Sequence, residues 1–179
     1  MKIFISGGCK NGKSTIAENQ AVALSVPGKL YYVATMIPHD EEDEVRIARH
    51  RAERDGKGFT TIECGNDIAD IDVDADGTYL IDSVTALLSN EMFLTTDGKS
   101  FEFNESAAKK VADDLIEFSR KAKNVVFVSD YIFSDIVYDE LTEKYREGLA
   151  LCDRELASEC DTVVEICLGN AITYKGSLI

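Results

Sequence analysis

The chain has 179 residues, of which 45% are hydrophobic, enough for the buried core of one domain and too apolar for a disordered polymer. Its 33 acidic residues outnumber 19 basic ones, and the resulting net charge of -14 repels a phosphate backbone, which argues against duplex DNA or bulk RNA as a partner. A small anionic ligand stays open, because a local cluster of donors binds it whatever the overall sign.

The first apolar run, Lys2-Ile3-Phe4-Ile5-Ser6, leads directly into Gly7-Gly8-Cys9-Lys10-Asn11-Gly12-Lys13-Ser14, a complete loop of the form G-x-x-x-x-G-K-S/T. Glycines let such a loop curl until its N–H groups point inward, and the helix that follows adds its positive end to the same anion site. The loop points to a nucleoside triphosphate, with Gly7 through Ser14 and the adjoining Thr15 as candidate nucleotide-binding residues. Lys13 is expected to reach the β- and γ-phosphates and Ser14 to hold Mg²⁺. The stretch from Thr15 to Leu24 reads as an amphipathic helix with Ile16, Gln20, Ala23 and Leu24 near one face.

Strand-like runs recur at Ile3–Ser6, Leu30–Ala34, Phe59–Glu63, Thr78–Ile81, Val125–Ser129 and Thr162–Ile166. Helical spacing lies between most of them: Ala108, Val111, Ala112, Leu115, Ser119 and Ala122 repeat at three and four, as do Leu141, Tyr145, Leu149, Cys152 and Leu156. Alternation of this kind predicts one α/β domain over residues 1–179, with a largely parallel sheet, helices on both faces and ligands outside the carboxyl ends of the strands. Thr162 to Lys175 reads as a hairpin around Gly169-Asn170, an antiparallel edge to that sheet. The Asp- and Ala-rich segment Asp67–Gly77 reads as an acidic surface connection, and Thr95–Asn104 as a polar excursion. Five cysteines without C-x-x-C spacing read as reduced thiols. With no leader-like start and no run of membrane-spanning length, the expected location is the cytoplasm.

Two strands end in an acid, Tyr79-Leu80-Ile81-Asp82 and Val125-Val126-Phe127-Val128-Ser129-Asp130. Asp82 and Asp130 are candidate Mg²⁺ ligands beside Ser14, and each is equally suited to capping a following helix. Of the two histidines, His39 follows Pro38 in a polar turn and reads as solvated, whereas His50 lies in a predicted helix from Glu41 to Arg54. At 100° per residue, Val45, Ala48 and Ala52 mark that helix's buried stripe, and His50 projects roughly opposite, between Arg46 and Arg54. An imidazole flanked by two guanidinium groups is placed to attack or hold a phosphoryl group, and both arginines are candidate nucleotide contacts. The same pattern also describes a plain charged helix with a surface histidine.

The loop G-G-C-K-N-G-K-S, the strand Y-Y-V-A-T ending at Thr35, R-I-A-R-H-R around His50, T-I-E-C at Thr61–Cys64 and D-S-V-T-A-L-L-S-N-E-M-F at Asp82–Phe93 occur in an order that resembles the adenosylcobinamide kinase / adenosylcobinamide-phosphate guanylyltransferase family. The resemblance implies a P-loop, RecA-like enzyme, usually a trimer, that phosphorylates the aminopropanol arm of adenosylcobinamide and then transfers GMP to that phosphate through a histidine. It places the guanylyl group on His50, the triphosphate on Lys13 and Ser14, an acidic contact at Asp82, and Thr35 among the nucleotide-binding positions. Family members usually carry Asn-Glu-Val-Gly where this chain has Ser129-Asp130-Tyr131-Ile132, and the later N-Q-x-L-A pattern survives only in part as Asp153-Arg154-Glu155-Leu156-Ala157. Two other readings keep the nucleotide site: a P-loop kinase for another alcohol, and a nucleotide-binding regulatory protein without catalysis. ATP and GTP are not distinguished, since no N-K-x-D guanine-reading motif is present.

Overall fold

The computed structural model describes the chain except His39, residues 96–100 and 134–137, and the side chains of Arg46, Glu53 and Thr95. Seven strands form one sheet in the order β3-β2-β4-β7-β1-β8-β9. They are β1 (Lys2–Gly7), β2 (Leu30–Ala34), β3 (Thr60–Glu63), β4 (Thr78–Asp82), β7 (Asn124–Asp130), β8 (Thr162–Cys167) and β9 (Asn170–Lys175). All neighbours pair in parallel except β8 and β9. The central strands are buried on both faces, which is why they read as continuous apolar runs.

Alternation along the strands sorts the core into two layers. Ile3, Ile5, Leu30, Tyr32, Leu80, Val126 and Val128 pack with Ala17 and Ala21 of α1 (Lys13–Leu24). Phe4, Val33, Tyr79, Ile81, Val125 and Phe127 face the other way, toward α3 (Val84–Met92), α4 (Ala107–Lys121) and α5 (Glu140–Glu159). In α1 the buried stripe is Lys13, Ala17, Gln20 and Ala21, so Ala23, expected on that face, is exposed instead.

The closing hairpin turns at Leu168-Gly169, one residue earlier than the sequence reading, because Cys167 pairs with Asn170 across a two-residue loop. Both loop residues have positive φ (51° and 77°), the backbone demanded by a tight hairpin of this hand. The predicted polar excursion is corrected at both ends: β5 (Phe93–Thr95) and β6 (Phe101–Phe103) form a separate antiparallel pair. Phe93 meets Phe101 edge-on at 5.3 Å and Phe103 at 5.6 Å, and this aromatic contact outweighs the polarity of the flanks. In the acidic connection, Ile68 is fully buried under α4, pinning an otherwise polar surface segment. All five cysteines are free, and burial pushes the Cys152 and Cys160 thiols up to about 12.

The helix predicted over 41–54 is present as α2 (Glu41–Arg54), but its orientation differs from the expected one. Val45, Ala48 and Ala52 are exposed, Val45 at 71%, while Asp43, Ile47 and His50 are half-buried and Arg54 is buried. The inward stripe therefore runs 43-47-50-54, and His50 lies on it. Asp40 caps the helix by accepting from the Asp43 N–H (2.9 Å), with four acids in the first turn and Arg51 and Arg54 in the last, matching the helix dipole at both ends.

Close approach of β8 explains the first glycine of the loop: a Cβ on Gly7 would lie 2.5 Å from the Ile166 carbonyl oxygen. Since backbone cannot yield as a side chain does, Gly7→Ala is expected to lower stability by about 1–3 kcal/mol, read as a drop in the urea midpoint with an unchanged m-value.

Candidate functional site

Parallel register brings the carboxyl ends of β1, β2, β4 and β7 to one edge: Ala34 stands beside Asp82, and Gly7 beside Asp130. Tyr32, Asp82 and Asp130 project to the α1 face at this edge, as alternation from Leu80 and Val128 requires. A cleft of about 810 Å³ opens there, with the phosphate loop from Cys9 to Thr15 on one side and α2, through Ile47, His50 and Arg54 among others, on another.

The loop is wound by two left-handed residues, Lys10 (φ 58°) and Gly12 (φ 88°), the latter directly before α1. Lys13 is buried and folds back over the loop. Its ammonium donates to the Gly8 carbonyl oxygen at 2.9 Å and pairs with the Asp130 carboxylate at 2.8 Å. Ser14 and Thr15 face the cleft from the helix start, where unpaired N–H groups and the dipole favour an anion. Gly7 and Gly8 shape the loop without lining the cleft.

Neither strand-end acid caps a helix. The cap of α3 is Ser83, whose hydroxyl accepts from the Ala86 N–H at 3.2 Å, leaving Asp82 to face the cleft and accept from the Tyr32 hydroxyl at 2.9 Å. Asp130 is fixed by its pair with Lys13 and by its own N–H, which donates to the Thr85 hydroxyl at 2.8 Å. For Mg²⁺, the Ser14 hydroxyl and Asp82 carboxylate supply hard oxygen donors in one cleft; together with phosphate oxygens and water they suit an ion that seldom uses an all-protein cage. Asp130, the other candidate ligand, has its carboxylate on Lys13 here.

Thr35 is 0% exposed and does not line the cleft. Its hydroxyl donates to the Ser83 carbonyl oxygen (2.8 Å) and accepts from the Ser83 N–H (2.7 Å), so it fixes the chain next to Asp82 instead of facing a ligand. His50 does line the cleft, as do Arg49, Arg51 and Arg54 of the same helix. Arg54 is 6% exposed, its guanidinium 3.4 Å from the centroid of the Tyr32 ring. Such a desolvated cation–π contact contributes about 2 kcal/mol. Arg46 lies on α2 as expected, with its side chain outside the described residues, as is His39.

These geometric features accompany a match over almost the whole chain. A sequence model of the cobinamide kinase / cobinamide phosphate guanyltransferase family aligns with residues 3–174. The chain belongs to this family. It is therefore a P-loop nucleotide-binding transferase of cobalamin biosynthesis, with a nucleotide and a cobinamide as the family's substrates. No curated protein matches the chain. Among solved structures, the Pyrococcus horikoshii OT3 protein of project PH0250 is similar over 98% of this chain and 86% of its own, at 10% identity and TM-score 0.50. Flagellar accessory protein FlaH from Methanocaldococcus jannaschii is similar over 99% and 81%, at 11% identity and TM-score 0.47. The P4 protein of bacteriophage phi6, solved with ADP, is similar over 98% and 56%, at 14% identity and TM-score 0.48. At 10% identity, the likeness to the PH0250 protein is one of fold alone. No helix among the described residues is long and apolar enough to cross a membrane.

Sequence reasoning passed over several site residues. Tyr32 was legible only as a strand residue, and Thr85 and Tyr145 only as helix positions, although both line the cleft and the Tyr145 hydroxyl donates to the Thr85 carbonyl oxygen at 2.9 Å. Asp153, noted as a departure from the family's asparagine, lies behind the end of β7. The buried Ser129 hydroxyl donates to it at 2.8 Å. Burial pushes its carboxyl up to about 7, against the Ser129 bond that lowers it and with the nearby Asp130 charge adding to the rise. The native state thus retains a proton that the unfolded chain loses near pH 4, so this group's stabilisation is full below pH 4 and is lost as pH rises to about 7. Asp153→Asn keeps an acceptor for Ser129 and removes the titration. Relative to the parent, its urea-derived stability is expected to gain on the order of 2–4 kcal/mol between pH 4.5 and pH 8.

Proposed function

We propose that this protein phosphorylates adenosylcobinamide and then transfers GMP from GTP to the resulting phosphate, with His50 carrying the guanylyl group between the two halves of the transfer. The observation that carries the reading is the placement of His50 on the inward stripe of α2, lining the same cleft as the phosphate loop.

In the phosphorylation step, the loop amides and Lys13 hold the triphosphate and neutralise charge that develops on the γ-phosphoryl group as the substrate hydroxyl attacks. Ser14 and Asp82 would hold Mg²⁺, which would supply a further positive charge to the phosphates. In the guanylyl step an imidazole nitrogen of His50 bonds to the α-phosphorus and pyrophosphate departs. The acceptor's phosphate oxygen then displaces His50 from that phosphorus. Division into two displacements lets the bulky acceptor enter after pyrophosphate has left. Arg54 and Arg46, one helical turn on either side of His50, are assigned to the phosphate oxygens in transit, and Thr35 to positioning of Asp82. A cytoplasmic homotrimer is part of the same proposal, on the family resemblance alone.

Incubation with α-labelled GTP and Mg²⁺ is expected to leave an acid-labile label on the peptide containing His50, without any corrinoid present. His50→Ala is expected to lose that label and keep phosphorylation of adenosylcobinamide; a label that persists on the variant refutes the assignment. Lys13→Ala is expected to slow both steps by about a hundredfold or more, measured as product formed per enzyme.

A further inference from the structure

Three side chains from three different elements meet at the wall of the cleft between the metal-facing carboxylate and the histidine helix. Tyr32 of β2 is buried, with Phe59 edge-on to its ring at 6.0 Å. On one face of that ring lies the Arg54 guanidinium from the last turn of α2. At its tip, the hydroxyl donates to Oδ2 of Asp82 at the end of β4. All three residues line the cleft.

Arg54 is more than nine-tenths buried, and its Nη1 has no hydrogen-bond partner among the described residues. An aromatic face compensates a guanidinium's charge from one side but accepts none of its in-plane N–H donors. A buried donor left unmatched is unfavourable, and a guanidinium fork is suited to a phosphate oxygen. The other charge set near Tyr32 is Glu18 of α1, itself buried and paired with Lys57, so the acid beside the ring already has its cation.

We propose that Tyr32 is the positioning residue of the site: its ring seats Arg54 so that Nη1 meets a phosphate oxygen of the bound nucleotide, and its hydroxyl orients Asp82 toward the Mg²⁺ of that nucleotide. One side chain then sets the spacing between the group that takes phosphoryl charge and the group that faces the metal. The inference rests on the Mg²⁺–triphosphate occupancy proposed above, not on the transfer chemistry.

Tyr32→Phe separates the two halves of the assignment, since it retains the ring beneath Arg54 and removes only the hydroxyl. Binding of a non-hydrolysable GTP analogue is measured with EDTA and with Mg²⁺, and Mn²⁺ binding to the enzyme–analogue complex is followed by water-proton relaxation. The expected result is an unchanged affinity in EDTA, an affinity weakened about tenfold with Mg²⁺, and a matching loss of Mn²⁺ affinity, the size of one hydrogen bond to a charged group. Arg54→Gln is expected to weaken the analogue about tenfold under both conditions while leaving the ratio between them at the parental value. Equal weakening of Tyr32→Phe with and without metal, or none in either, overturns the proposal. These are binding measurements, so they are read independently of whether His50 takes up label; absence of label from an enzyme that binds the analogue normally counts against the guanylyl transfer alone.

Discussion

Parallel pairing in fixed register is the constraint from which the site follows. Because β1, β2, β4 and β7 run the same way, with β1 and β7 ending two residues beyond β2 and β4, the loop after β1, the carboxylate ending β4 and the carboxylate ending β7 emerge at one edge. Side-chain alternation then directs Tyr32, Asp82 and Asp130 to the face occupied by α1, the helix whose first turn completes the anion site. A register slip of one residue in β4 would send Asp82 into the apolar layer under α3 and break the arrangement. The buried strands thus act as a positioning frame whose energy comes from the core and whose product is the geometry at its rim.

The frame was largely legible in the sequence, because fully buried strands announce themselves as apolar runs and the phosphate loop is a local motif with a local cause. The orientation of α2 was not. Val45, Ala48 and Ala52 form the apolar side of that helix, yet all three are exposed, while Ile47, His50 and Arg54 are more buried and line the cleft, whose rim Val45 also joins. Pattern reading assumes that the inward side of a helix meets a hydrophobic core; here it meets a polar cleft, so the usual rule for finding the buried face inverts. Tyr32 and Asp153 escaped for a related reason. Their roles depend on partners distant in the chain, Asp82 and Arg54 for one and Ser129 for the other, and pairings of that range leave no signature in spacing.

Electrostatics at the site run against the character of the whole protein. The chain carries a net charge of -14, whereas the cleft is lined by Lys10, Lys13, Arg49, Arg51 and Arg54 against Glu42, Glu63, Asp82 and Asp130, close to an even balance. Lys13 and Arg54 are buried, so their charges are screened less than those of the many surface acids, whose influence solvent and salt reduce within roughly 10 Å. A negative surface of this kind weakens long-range attraction for extended polyanions, whereas a short anion meets chiefly the local donors of the phosphate loop.

The ion pair between Lys13 and Asp130 has a consequence for how the cleft meets its ligand. The Gly8 carbonyl and the Asp130 carboxylate occupy two of the three donors of the ammonium, so a triphosphate that engages it shares or contests a cation that already has an anion and does not fill a bare positive hole. The cost of stripping water from the lysine has been met during folding, and an incoming phosphate finds the cation already dry and aimed. Lys13 thus rests as one half of an ion pair at the floor of the loop, and any anion that reaches it there meets a cation already partly neutralised by Asp130.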